Sequence, residues 1–220
     1  MKVPDRHKRA LADLASLQDG TMSALAAALA GAPPVLLPQD LAGKIGGRVD
    51  LELPKLQALM EMLISMSGSR TRRGATVAAF VAEVIAAAKD AEVDVAPDKW
   101  EALAARLALL LPCPSIGITS KALDVLTQHE HVYARSRVLT DLRPVFDTDV
   151  ISRPRAGVIV HQLEIRYYQD SGERRFFVAL DSEDVKELRE VVERAAAKEE
   201  RLCGVAAEAG IAILRMEPKR

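Results

Sequence analysis

Cysteine is nearly absent from this 220-residue chain: Cys113 and Cys203 are the only two, far apart and outside any Cys-x-x-Cys pair. That excludes a disulfide framework, offers no zinc-binding spacing, and suits a reducing cytosol. Aromatic residues make up only 4% of the sequence, so a core has to be built from Ala, Leu, Val and Ile. Neither sign of charge is in surplus. Thirty Lys and Arg stand against 31 Asp and Glu, a formal charge of −1. A surface coated for a phosphate backbone is thereby excluded, and a nucleic-acid site would have to be a local patch. The opening MKVPDRHKRALADL lacks the apolar run of a signal peptide. The one long uncharged stretch, Gly20 to Gln39, is interrupted by Gly31, Pro33, Pro34 and Pro38. It reads as a helix followed by a linker, and no membrane span is expected.

What is present is 49% hydrophobic and 28% charged residues, the balance of a folded chain with one domain or two small ones. Up to about residue 133 the apolar period is helical. Leu11 and Leu14 mark a first helix before a break at Gly20. Thr21 is placed to cap a second, with Met22, Leu25 and Leu29 as its stripe. A short helix is expected near Gln39–Ile45. Pro54 then opens a clear one through Leu56, Leu59, Met60, Leu63 and Ile64, with a break expected at Ser67 to Gly74. Val77 to Ile85 forms the next stripe. Pro97 opens a helix carrying Trp100, Leu103, Leu107 and Leu111. Thr119 or Ser120 is expected to cap a last one, with Leu123, Leu126 and Tyr133 inward.

From Val138 the period shifts toward two. In GVIVHQLEIRYYQ, Ile159, Leu163, Ile165 and Tyr167 share one face with His161, and Val158, Val160, Gln162, Glu164 and Arg166 share the other. Asp170, Ser171 and Gly172 supply a tight turn into the return strand RRFFVAL. Asp181 or Ser182 caps a long helix with Val185, Leu188, Val192 and Ala195 as its expected buried stripe. Leu188 is expected in the core and Glu190 on the surface. IAILRM, after Gly210, is expected as a final short strand. The fold class is therefore α+β: an all-α domain over 1–133, then a small antiparallel sheet packed with a long C-terminal helix over 134–220.

The chemistry-bearing residues do not converge. His129 and His131, read at a helix end, point about 200° apart and cannot share an ion. His161 reads as a core histidine, and His7 carries no signal. GKIGG, Gly43 to Gly47, lacks the spacing of a phosphate loop and reads as a turn. Asp141, Asp147 and Asp149 lie among Arg135, Arg137, Arg143, Arg153 and Arg155, where salt bridges and turns explain them. No Gly-x-Ser-x-Gly occurs. No catalytic residue, metal ligand or cofactor site is assigned. Arg70, Arg72 and Arg73 form a dense basic cluster, read as a loop that is solvated or grips an anionic partner. No aromatic residue interleaves them.

The order VLTDLRPVFDTDVI, GVIVHQLEIRYY, RRFFVALDSEDVKELREVVERA resembles the COMM domain over Val138 to Leu202. It departs from that family at Arg143-Pro144, where a Trp is common. The resemblance implies a dimerisation and scaffolding module that displays a helical domain to partners. Independently, three or four strands and one helix cannot easily cover both faces of a sheet. Val158, Val160 and Phe177 are apolar on the face opposite the expected helix, and a second copy could cover them. The reading is a cytoplasmic, non-enzymatic interaction module that self-associates through its C-terminal domain, with further protein partners unidentified. The alternatives are a nucleic-acid-associated regulator using Arg70, Arg72 and Arg73, or an enzyme with a site around Asp141, Arg143 and Asp147.

Overall fold

Apolar side chains three and four apart draw the first half of the chain into helices that bury one another. The computed structural model describes residues 2–148, 153–169 and 172–215, and it divides into two units, built on 1–126 and 127–213. The first unit holds α1 (Asp5–Ser16), α2 (Asp19–Gly31), α3 (Pro38–Gly46), α4 (Leu53–Arg73), α5 (Val77–Asp90), a 3-10 turn (Pro97–Lys99), α6 (Trp100–Leu110) and α7 (Pro114–Thr127). The second holds β1 (Val132–Val145), β2 (Ala156–Gln169), β3 (Gly172–Leu180) and α8 (Ser182–Glu208). The class is α+β, with the helices preceding a three-stranded antiparallel sheet of order β1-β2-β3.

The core of the first unit runs from Val3 to Ile116, with Phe80, Leu11, Leu14, Leu25, Leu59 and Leu63 fully enclosed. α4 is its centre. The small residues read as a break in α4 are a packing requirement instead. A side chain at Gly68 would meet Ser120 Oγ at 3.0 Å, so glycine allows α7 to approach. The helix therefore continues to Arg73 and stops at Gly74, whose φ of 63° is the left-handed conformation that glycine accepts freely. Arg106 ties the α1–α2 corner. It is 9% exposed and donates from Nη1 to the carbonyls of Leu14 and Ala15, both at 2.8 Å. From Nη2 it donates to Leu17 O at 2.8 Å and Asp19 Oδ1 at 3.1 Å. A cation there satisfies carbonyls that the end of α1 leaves without helical partners.

Several expectations are corrected. Gly20 and Thr21 lie inside α2, and Thr21 caps nothing. Thr119 and Ser120 lie inside α7 and are buried, because Thr119 Oγ1 accepts the Val35 amide at 3.1 Å. Tyr133 is in β1, which starts at Val132, so His129 and His131 fall in the link between α7 and β1. Gly43 and Lys44 are helical. The segment from Ile211 to Arg215 forms no strand, and Met216 lies outside the described residues. Among the described residues no single helix is long and apolar enough to cross a membrane.

The second unit has a different economy. β1 and β2 pair over their whole length, from Val132↔Tyr168 to Val145↔Ala156. β3 pairs with β2 only from His161↔Leu180 to Gln169↔Gly172, so residues 156–160 of β2 extend past it. α8 starts from a capping box: Asp181 Oδ1 accepts the amides of Glu183 and Asp184 at 2.8 and 2.9 Å, and Asp184 Oδ2 accepts the Asp181 amide at 2.9 Å. None of its 27 residues is buried. The expected stripe is corrected accordingly. Leu188 is 40% exposed and Val192 60% exposed. At about 1.5 Å per residue the helix is about 40 Å long.

Candidate functional site

Alternation along the strands determines which side chains meet. The register places Val158, Val160, Gln162, Glu164 and Arg166 of β2 on one face with Arg135, Arg137, Leu139 and Asp141 of β1 and with Arg175 and Phe177 of β3. All three residues expected to self-associate therefore share a face. Val158 (51% exposed) and Val160 stand on the overhang of β2. Phe177 (46% exposed) lies opposite Glu164, about 13 Å further along at the usual strand rise. The other face carries Val138, Leu142, Ile159, Phe176 and Val178, all exposed. Both faces of the sheet are thus apolar in part and open.

One residue on this sheet is buried, and it is a carboxylate. Glu164 is 1% exposed, the only buried residue among those described in the second unit. Register surrounds it with guanidinium groups. Arg166 Nε donates to Oε1 at 2.7 Å, Arg137 Nε donates to Oε2, and Arg175 Nη1 lies 3.7 Å from Oε1. Arg166 Nη1 also donates to Glu173 Oε1 at 3.2 Å, and Arg135 Nη2 lies 3.6 Å from the same oxygen. The Arg175 guanidinium lies 5.5 Å from the Phe177 ring centre. Burial pushes the Glu164 carboxyl up, but hydrogen bonds from Arg166 and Arg137 outweigh it and hold the group below the ordinary carboxylate range. Four arginines against two glutamates leave this end of the face net positive, around a shallow cleft of about 110 Å³. The arrangement can hold an anionic side chain. It presents no nucleophile and base within hydrogen-bond reach of each other.

The other sequence-predicted residues lie elsewhere. Arg70, Arg72 and Arg73 occupy the last turn of α4, not a loop, where they complement the negative end of the helix dipole. Arg72 pairs with Asp124 at 3.0 Å and Arg73 with Glu83 at 2.5 Å. Asp141 is on the open sheet face, at the end away from Glu164. Asp147 accepts the amide of Thr148 at 2.7 Å in the turn after β1, and Asp149 lies outside the described residues. Asp170 and Ser171 lie outside them as well. His161 is half-buried, with Nδ1 2.8 Å from Thr140 Oγ1. His131 sits edge-on to Tyr167, ring centres 4.4 Å apart. No group of three or more His, Cys, Asp or Glu poised to hold a metal occurs among the described residues.

Glu164 carries no motif, which is why sequence reading passes over it. Its signal is a cross-strand one: Arg137 opposite it and Arg175 opposite its neighbour Arg166, visible only once the register is known. Compared with known proteins, the chain matches no protein-family model and no curated protein.

Proposed function

We propose that this protein is a non-enzymatic interaction module that self-associates through its second unit and displays the helical unit to other proteins. One observation carries the reading: among the described residues of the second unit no apolar side chain is buried. A small sheet and one helix of this kind have no core of their own, and stability then requires another surface. Apolar positions on both sheet faces and along Leu188, Val191, Val192, Leu202 and Val205 of α8 supply that surface. Charge supports a second copy as the occupant. α8 carries eight acidic and five basic residues, while the Glu164 end of the sheet is net positive. The same surface on two copies is therefore self-complementary, as a two-fold interface requires. The resemblance of this region to the COMM domain points the same way. A reducing, cytoplasmic setting suits the two free thiols.

Sedimentation equilibrium of the full chain tests the reading. The expected mass is twice the 23.9 kDa of one chain. Phe177→Asp, which places a charge on the open face, should shift the distribution toward single chains. A wild-type protein that stays at one chain mass at micromolar concentration overturns the proposal.

A further inference from the structure

Register puts three arginines in one row across the sheet: Arg135 stands opposite Arg166, and Arg166 opposite Arg175. Like charges directly opposite one another destabilise a sheet, so such a row calls for compensation. Two carboxylates supply part of it. Glu164 lies in the next row on one side of the arginines, and Glu173 in the next row on the other. With Arg137, which stands opposite Glu164, four guanidinium charges meet two carboxylates, and two positive charges remain in surplus. The surplus sits at the ends of the row. Arg135 and Arg175 approach Glu173 and Glu164 only to 3.6 and 3.7 Å, beyond hydrogen-bond length, and neither guanidinium hydrogen-bonds another described residue. Arg137 meets Glu164 through Nε, which leaves its two terminal nitrogens outside that bond. The central arginine is fixed. Arg166 spans both glutamates, at 2.7 Å to Glu164 and 3.2 Å to Glu173, and Arg175 rests by the Phe177 ring.

We propose that this arginine row binds a phosphoryl dianion, as free phosphate or as a phosphate monoester. Arg135, Arg137 and Arg166 line the small cleft beside Glu164, and Arg175 stands next to Arg166. The charge count selects the dianion. One doubly charged group neutralises the surplus, whereas a carboxylate or a phosphodiester leaves one charge over. The donor type agrees, because planar guanidinium forks grip phosphoryl oxygens two at a time. Glu164 serves the site by position: its carboxylate holds Arg137 and Arg166 from beneath, so their unused N–H groups stay turned to the anion. Every residue named belongs to one chain, so the site does not rest on self-association.

Isothermal titration of the full chain at pH 8 and constant ionic strength tests this with inorganic phosphate, methyl phosphate and dimethyl phosphate. The first two are dianions there and the third a monoanion. The expected result is saturable binding of a dianion with one site per chain and dimethyl phosphate at least tenfold weaker. Tighter inorganic phosphate assigns the free anion, and tighter methyl phosphate assigns a monoester. Arg135→Gln removes a guanidinium that the fold does not hydrogen-bond, and should weaken the dianion about tenfold. Glu173→Gln removes a competing carboxylate and should tighten it. No saturable binding of either dianion overturns the proposal. So does dimethyl phosphate binding as tightly as the dianions, or an affinity unchanged in both variants, which would place the anion elsewhere. Sedimentation in the same buffers separates this site from the interaction reading. Phosphate binding by a protein of one chain mass leaves the site standing and overturns self-association, and a dimer that binds no dianion does the reverse.

Discussion

The two units of this chain use their aliphatic side chains in opposite ways. In the helical unit every strong stripe finds another: Leu56, Leu59 and Leu63 of α4 meet residues from the flanking helices and are lost to solvent. In the second unit Leu142, Ile159, Phe176, Val192 and Leu202 are all exposed, and the one enclosed residue among those described is Glu164. The difference is topological. Seven α-helices can surround one another, whereas one three-stranded sheet with one helix always leaves surface uncovered. A sequence can therefore encode an enclosed core in one stretch and an uncovered apolar surface in the next.

Several substitutions would sharpen that contrast, taken from the largest expected effect down. Phe80→Ala should cost about 3–5 kcal/mol in denaturant unfolding, because a fully enclosed ring leaves a cavity that the helices cannot close. The loss should not depend on protein concentration. Arg106→Met should cost about 2–4 kcal/mol, since the carbonyls of Leu14, Ala15 and Leu17 lose their donor inside the core. A midpoint equal to wild type would mean that water replaces the guanidinium at no cost. Leu188→Ala behaves differently. At 40% exposure it should change the stability of the dilute single chain by about 0.5–1 kcal/mol, yet weaken self-association about tenfold in sedimentation. A large loss in the dilute protein would place Leu188 in a core of its own chain.

Glu164→Gln gives the smallest effect, and pH reports it. The Glu164 carboxyl is held below its ordinary value, so its contribution is fully present above the ordinary glutamate pKa of about 4.3. It is lost as pH falls through the lower, folded value. Wild type should therefore melt above the variant at pH 7, and the two melting curves should converge in acid. Arg137 and Arg166 keep their charge throughout, so the variant leaves them facing a neutral amide. A gap between the two proteins that persists unchanged into acid would contradict the assignment.

How much of this was legible in the residues follows the same divide. Helical period is local, so Leu56–Ile64 and Val77–Ile85 announce their helices, and Asp181 with Asp184 announces the start of α8. The alternating faces of β2 are equally local. What escaped was non-local. Ser67, Gly68 and Gly74 look alike as breakers, yet only Gly74 ends the helix, because the space at Gly68 is filled by Ser120 of a distant segment. Thr119 resembles a cap but serves the Val35 amide. Leu188 reads as core by its stripe, and nothing in the stripe says whether its cover comes from the same chain. Glu164 and Arg106 are each defined by partners that only register or helix packing brings near.

Hydrogen exchange of the full chain at two protein concentrations bears most directly on the claim that the second unit is incomplete by itself. Amides of α4 from Leu56 to Met66 should exchange at the same slow rate in dilute and concentrated protein, because their core is internal. Amides of β2 from Val158 to Tyr168 should become more protected as concentration rises, as the proposed self-association requires. Protection of β2 that equals that of α4 in dilute protein, and does not change with concentration, would contradict the account.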